Sequence, residues 1–302
     1  MSRAVNVLLL GIFGGNNMKL AISFSGGKTS AYMTKWLIDN KVNDYDDYVI
    51  TFSNTGQENE ETLRFINLCD KEWGLNVVWL EAVVNPLPGI GTKHKIVTYE
   101  TASINGEPFE AVIKKYGIPN QTFQTCNREM KLAVMRSYMR SIGWKKRDYV
   151  SAIGIRIDEI DRISKKMNEE RLIYPLIEFT KATKESIGIW WEKQQFNLNL
   201  MEHEGNCKWC WKKSKRKLLT LAVDTPEIFD FPARMERDYG YCGAAGYDKK
   251  PRVFFRGYTS TIDLMAESKL NFVRWTPKPI QFNLFDEDLD SSGGCSEHCE
   301  AY

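Results

Sequence analysis

Two groups of residues in this 302-residue chain have the types and spacing to do chemistry. The first is Ser25-Gly26-Gly27-Lys28-Thr29-Ser30, placed directly after the apolar run from Lys19 to Phe24. Glycines there let backbone N–H groups turn onto phosphate oxygens with no Cβ in the way. A helix opening at the loop adds free N–H groups and partial positive charge. Ser25, Thr29 and Ser30 supply hydroxyls, and Lys28 supplies a full charge. The spacing departs from G-x-x-x-x-G-K-[ST], which disfavours an ordinary Walker ATPase. The plainer alternative is a tight strand-to-helix turn. The second group is the seven cysteines, Cys69, Cys126, Cys207, Cys210, Cys242, Cys295 and Cys299. An odd number in a chain too long to need staples points to metal or redox chemistry rather than a disulfide framework. Cys207-Lys208-Trp209-Cys210 brings two thiolates within reach of one metal, and also fits a redox dithiol or two buried thiols. Cys126 opens a helical pattern, where the helix dipole favours a thiolate.

The elements that must position these groups follow from periodicity. Lys19 to Phe24, Tyr48 to Phe52 and Asn76 to Leu80 read as strands, with helices from about Ser30 to Asn40 and Glu58 to Trp73 between them. Alternation at this spacing means parallel crossover units. The expected fold is therefore α/β, a doubly wound, mostly parallel sheet with helices on both faces, plus a cysteine-rich C-terminal extension. Residues 82–120 carry Pro86, Pro88, Gly89, Gly91, Gly106, Pro108 and Pro119, and read as an irregular lid or binding insertion. A helical pattern returns at about 127–142, with strands at Tyr149 to Ile153 and near Leu172 to Pro175, and a helix from about Thr183. Beyond Met201 the α/β periodicity fades. The resulting division is a leader at 1–17, a nucleotide-binding α/β domain at 18–200 and a cysteine-rich, metal-binding region at 201–302.

Composition limits the partners. With 43% hydrophobic residues, 26% charged residues and a net charge of +2, the bulk balance points to neither nucleic acid nor membrane. The apolar run Val5 to Phe13 is shorter than the ~18–20 residues of a membrane span. Residues 1–17 read as an upstream start or a leader outside the core, and the expected location is cytoplasmic. Locally, Lys208, Lys212, Lys213, Lys215, Arg216 and Lys217 crowd around Trp209 and Trp211. That composition suits a nucleic-acid groove with stacking rings, and equally a solvated helix face. His94 and His203 stand alone and read as exposed polar residues.

Ser25 to Ser30 resembles the PP-loop of the ATP pyrophosphatase (adenine nucleotide α-hydrolase-like) superfamily. Within it the chain is most similar to the phosphoadenosine phosphosulfate (PAPS) reductase-like branch. The likeness is carried further by Phe52 to Glu58 with Glu61-Thr62, by Thr125-Cys126 with Lys131, by Gly154 to Glu159 with Arg162, and by Gly205 through Leu219. These motifs occur in the family's order between about residues 19 and 220. The resemblance implies nucleotide contacts from Ser25, Gly26, Gly27, Lys28, Thr29, Ser30, Asn54, Thr55, Gly56, Glu58, Gly154, Arg156 and Arg162. It implies catalytic roles for Lys28, Arg156 and Asp158, with Asp158 and Glu159 orienting the arginines or holding Mg²⁺. It further implies a metal centre on Cys126, Cys207, Cys210 and Cys295, with Cys299 and Cys242 competing for the fourth place. A [4Fe–4S] cluster is expected there, with zinc as the alternative.

The reaction implied is cleavage of ATP to AMP and pyrophosphate, adenylylating an acceptor that a sulfur donor then attacks; the acceptor expected is a nucleic acid. The rival enzyme reading is sulfonucleotide reduction with a thioredoxin-like reductant. Against it, Cys295 and His298 lack the Glu before and the Gly after that the reductase motif carries. A non-catalytic nucleotide-sensing or nucleic-acid-binding module is the third reading. The oligomeric state is left open.

Overall fold

Apolar runs linked by amphipathic helices can bury both faces of a sheet only by covering each with a helical layer. The computed structural model, which describes residues 18–277 apart from 206 and 245, has that layered form. β1 (Lys19–Ser23), α1 (Lys28–Asn40), β2 (Tyr48–Asn54), α2 (Glu60–Trp73) and β3 (Val78–Val83) form two crossover units. β4 (Lys93–Val97) and α3 (Glu107–Tyr116) follow, then a π-helical stretch, Cys126–Leu132, that runs into α4 (Ala133–Ser141). After β5 (Tyr149–Ala152) come the short α5 (Met167–Glu170), β6 (Leu172–Ile173), α6 (Pro175–Glu178) and α7 (Lys184–Glu192). The C-terminal part adds α8 (Lys215–Asp224), α9 (Asp230–Tyr239), the small hairpin β7 (Cys242–Gly243) and β8 (Gly246–Tyr247), and α10 (Thr261–Glu267).

The six-stranded sheet has the order β4-β3-β2-β1-β5-β6. All its pairs are parallel except β3 with β4. Strand order reverses between β1 and β5, so the crevice at their C-terminal ends is the switch point where doubly wound sheets bind ligands. The doubly wound expectation therefore holds.

Side chains alternate across β1. Leu20 and Ile22 enter a core with Met33 and Leu37 of α1, Phe65 and Ile66 of α2, and Trp191 of α7. Ala21 faces the other way, toward Phe109 and Val112 of α3 and Val134 of α4. Residues beyond 200 complete this second core. Trp209, Trp211, Leu218, Leu221, Phe254 and Leu264 are buried in it. Helix ends are set locally. The Asn59 side chain accepts a hydrogen bond from Glu61 N at 3.1 Å at the start of α2, and Gly74 closes that helix in the left-handed region.

Several expectations are corrected here. Residues 82–120 are not wholly irregular: Lys93–Val97 pairs with β3, and Glu107–Tyr116 is helical. Pro108 sits in the first turn of α3, where a proline removes no intrahelical bond. Among the described residues after Met201, three segments are α-helical, Lys215–Asp224, Asp230–Tyr239 and Thr261–Glu267. The rings of Trp209 and Trp211 are 1% and 3% exposed, so they offer no stacking surface to a nucleic acid. Lys212, Lys213 and Lys217 are buried beside them, with Lys217 paired to Glu202 at 3.1 Å. His203 is also buried, its ring centroid 4.6 Å from that of Trp275, and burial lowers its pKa. His94 is half-buried, with Nδ1 2.9 Å from Ser137 Oγ.

Trp209 is the centre of the second core. Its ring lies 4.7 Å from Phe254, 5.3 Å from Phe109 and 5.7 Å from Phe231, and its Nε1 donates to Gln57 Oε1 at 2.7 Å. Trp209→Ala should therefore cost about 3–5 kcal/mol. Trp209→Phe, which keeps most of the packing and strands Gln57, should cost about 1–3 kcal/mol. Urea unfolding of the two variants checks both the size and the order.

Candidate functional site

The phosphate-loop segment is built by three constraints. Phe24 N donates to Thr51 O at 2.9 Å, which carries β1 one residue past its ladder before the chain turns. Gly26 then takes φ +84°, and Gly27 is the N-terminal cap of α1 in extended conformation. A Cβ on Gly26 would stand 2.6 Å from Thr62 Cγ2 and 2.8 Å from Ile66 Cδ1. Glycine is thus required twice, by the backbone angle and by the approach of α2. Ser30 Oγ donates to Gly27 O and Ser25 Oγ donates to Ser30 Oγ, both at 3.0 Å, so two loop hydroxyls brace the turn. Trp191 Nε1 donates to Lys28 O at 2.9 Å, tying the loop to α7. Among the described residues no side chain caps the N-terminus of α1, so its first-turn N–H groups keep their donor capacity.

A cavity of about 260 Å³ opens over this loop, lined on one side by Ser25, Gly26, Gly27, Lys28, Thr29 and Arg156. Burial lowers the pKa of Lys28, an effect that the nearby Glu192 partly opposes. Arg156 reaches the loop from the end of β5. Its Nη1 donates to Thr29 Oγ1 at 3.2 Å, its Nε donates to Asp158 Oδ1 at 3.0 Å, and its Nη2 lies 3.4 Å from Glu159 Oε1. Ile155 N donates to Ile153 O at 3.0 Å, folding the chain tightly around the buried Gly154 just before Arg156. The structure thus brings six of the thirteen expected nucleotide contacts, Ser25 to Thr29 and Arg156, to one cavity. Arg162 is placed differently: its Nη1 is bonded to Glu159 Oε1 at 2.5 Å, its side chain is buried, and it is not among the lining residues.

The segment after β2 forms a second, adjoining cluster. Asn54 Oδ1 accepts from Gly56 N at 3.1 Å, and Gly56 has φ +77° with Gly106 packed against it. Thr55 Oγ1 donates to Glu58 Oε1 at 2.9 Å. None of these residues lines the cavity over the loop; Thr55 and Glu58 face the cysteine knuckle. Glu58 and Cys207 form an isolated antiparallel bridge, and Lys208 N donates to Gln57 O at 2.9 Å. Cys207 Sγ lies 3.4 Å from Thr55 Oγ1 and 3.7 Å from Glu58 Oε1. Burial, then Glu58 and Cys210, push the Cys207 thiol well above its ordinary pKa; Lys131 and Thr55 act in the opposite direction.

Cys210 shares a turn with Cys207, its N–H donating to Cys207 O at 3.0 Å. Cys126, at the start of the π-helical stretch, packs partly buried against the core that holds Trp209. Among the described residues no three Cys, His, Asp or Glu side chains close on one point in the manner of a metal site. Cys295 and Cys299 lie outside the described residues, and Cys242 is in the hairpin strand β7.

A residue without a motif organises this second cluster. Glu81 on β3 is fully buried. It accepts from Asn54 Nδ2 at 2.7 Å, from Ser103 N at 2.6 Å and from Ser103 Oγ at 3.1 Å, and lies 2.8 Å from Lys95 Nζ. A carboxylate can be buried when it is paired and its lone pairs are filled. The signal in the sequence is a lone acid within the apolar run Val77 to Val84.

The loop geometry predicts a substitution effect. Gly26→Ala forces a Cβ into the left-handed region and against Thr62 and Ile66, so a loss of about 2–4 kcal/mol is expected. Gly89, with φ +77° but nothing within 4 Å, is the control: Gly89→Ala bears the backbone strain alone and should lose about 1–2 kcal/mol. Thermal unfolding of the pair separates backbone strain from steric overlap.

No protein-family model matches the chain. It is 30% identical over 292 residues to the uncharacterized nin region protein ORF290 of Escherichia phage lambda, which covers 93% of this chain and 94% of that protein. A shorter likeness, 30% identity over 124 residues, links it to an uncharacterized protein of Methanocaldococcus jannaschii; there it spans 41% of this chain and 23% of that protein. Matched along nearly the whole of both chains, the protein belongs to the family of the phage lambda nin region protein ORF290.

Proposed function

We propose that this protein is a PAPS reductase-like ATP pyrophosphatase that binds an adenine nucleotide and adenylylates an acceptor for sulfur transfer. One observation carries the reading: a glycine loop at the switch point opens a helix with uncapped N–H groups, with Lys28 and Arg156 lining the same cavity. In the proposed reaction a nucleophile on the acceptor attacks the α-phosphorus, the bond to the bridging oxygen breaks, and pyrophosphate leaves with the electron pair. Charge grows on the pyrophosphate oxygens. The loop N–H groups and Lys28 offset it there, and Arg156 offers its remaining N–H donors to the nucleotide's phosphates. Asp158 holds Arg156 in place and is the carboxylate available to Mg²⁺ on the phosphates. Cys207 and Cys210, next to Glu58, form the thiol pair that would hold an iron–sulfur cluster or zinc, with Cys126 as a further ligand. Such a centre supplies either a sulfur-binding iron or a structural clamp.

With ATP and Mg²⁺ but no acceptor, water takes the nucleophile's place at the α-phosphorus, and slow release of AMP and pyrophosphate should be seen. Lys28→Ala and Arg156→Ala should each lower this rate on the order of 10²–10³-fold. Sulfite release from PAPS with a thioredoxin, and none of these products from ATP, would put the protein in the reductase branch instead.

Lys28 also sets a pH dependence. Its lowered pKa means that the loop loses its positive charge at a lower pH than an ordinary lysine, whose value is 10.5. Pyrophosphate affinity should therefore fall as pH rises through the alkaline range below 10.5, and Lys28→Met should flatten that fall. Titration calorimetry at several pH values measures both slopes.

A further inference from the structure

On the face that looks toward α4, the sheet carries hydroxyls where a buried parallel sheet ordinarily carries branched apolar residues. Ser23 of β1 stands opposite Thr51 of β2 in the ladder, and Ala21 stands opposite Ser151 of β5. Alternation puts all four on the side where Ala21 meets the core of α3 and α4. Ser23 and Thr51 are 6% and 2% exposed. None of the three hydroxyls has a hydrogen-bond partner among the described residues. Ser53, two residues further along β2, is also buried with its Oγ unpaired. A buried hydroxyl without a partner costs free energy, and in folded proteins such groups are ordinarily met by a bound water or ion.

Ser23, Thr51 and Ser151 line a second cavity, of about 50 Å³, that shares no residue with the one over the phosphate loop. Met135 and Met139 of α4 and Ile153 give it apolar walls. Its remaining side is charged, with Arg136 of α4, Lys146 and Glu170. Arg136 bonds Glu170 through Nη2, and Lys146 Nζ lies 3.5 Å from the same carboxylate. Two cations thus share one anion. Arg136 Nε and Nη1 have no partner among the described residues. The Arg136 and Lys146 side chains are 42% and 56% exposed, so a solute can reach them.

We propose that this cavity binds one small inorganic oxyanion of the size of phosphate or sulfate. A surplus positive charge and donors of three kinds (guanidinium, ammonium and hydroxyl) border the same space. The oxygens of one anion answer both, taking charge-assisted bonds from Arg136 and Lys146 and further bonds from the hydroxyls. Water satisfies the hydroxyls but does nothing for the surplus charge, and Glu170 sets the limit by cancelling one cation of the two. Size fixes the class. At ~10–15 Å³ for each water, the cavity holds about three to five non-hydrogen atoms, enough for such an ion and too few for a nucleotide. The ion joins α4 to β1, β2 and β5 at the strand ends, just before Ser25 on one strand and Arg156 on the other. The site does not depend on the nucleotide reading.

The test is thermal unfolding of the full chain in potassium phosphate against potassium chloride at equal ionic strength, with calorimetry for affinity. Lys28→Ala is the parent protein, because it weakens the loop as a rival phosphate site. Phosphate should raise its melting temperature above the chloride value, as a ligand of the folded state does. In that parent, Lys146→Gln should weaken phosphate about 10-fold. Thr51→Val, which keeps the shape of the side chain and removes its hydroxyl, should weaken it about 3-fold. Equal stabilisation of the parent and both variants would overturn the site, since phosphate would then act at the loop or by exclusion from the protein surface. A loss confined to Lys146→Gln would overturn it too, by placing the ion on the surface outside the cavity. No rise above chloride in the parent would leave the cavity to water.

Discussion

The site depends on one close approach, between the backbone of Gly26 and the side chains of Thr62 and Ile66 on α2. Protein interiors are packed tightly enough that a single methyl group placed there would have to displace the Thr62 and Ile66 side chains. Because glycine supplies no such atom, α2 can sit against the loop, and α1 can start immediately at Lys28 with its N-terminus at the sheet's switch point. From there the polar side chains fall into place in sequence. Thr29 receives Arg156 from the neighbouring strand end, and Trp191 fixes Lys28 O from the far side. The loop's shape is set by what packs around it, before any ligand arrives.

The C-terminal part is fastened to this arrangement through a few bonds. Gln57 accepts from Trp209 with its side chain and from Lys208 with its backbone, while Glu58 bridges to Cys207. The knuckle is therefore registered against the turn after β2. Trp209 anchors that registration in a core of aromatic rings. The Cys207 thiol, buried beside a carboxylate, has little tendency to ionise alone. A cation at this point would change the balance, because it offsets both the desolvation and the nearby negative charge.

The first crossover units were legible because their signals agree at every level: apolar runs of strand length, glycine punctuation and amphipathic helices of ordinary size. A few of the phosphate loop's neighbours, Thr62 and Arg156 among them, were legible too, through motif order. Other parts were hidden for physical reasons. The prolines and glycines around β4 and α3 mask a strand and a helix because two of them serve as end signals: Gly106 caps α3 at φ +92°, and Pro108 occupies its first turn. The lysines flanking Trp209 and Trp211 suggested a wet surface. Three of them, Lys212, Lys213 and Lys217, are instead buried, and Lys217 pairs with Glu202. Glu81 carries no motif, since it acquires its partners only when Asn54, Lys95 and Ser103 meet it in the fold.

The two edges of the sheet have a consequence of another kind. An exposed strand edge is a template on which a second chain can pair, and long flat apolar edges lead to aggregates. β6 ends one side after two residues. β4 ends the other with Lys93, His94 and Lys95, and Lys95 is held to the buried Glu81 opposite it in the ladder. A foreign strand approaching that side meets cationic side chains that it would have to desolvate, one of them already committed inward. The same carboxylate that shapes the turn after β2 thereby helps keep neighbouring copies from zipping together while the chain is crowded, newly made and only partly folded.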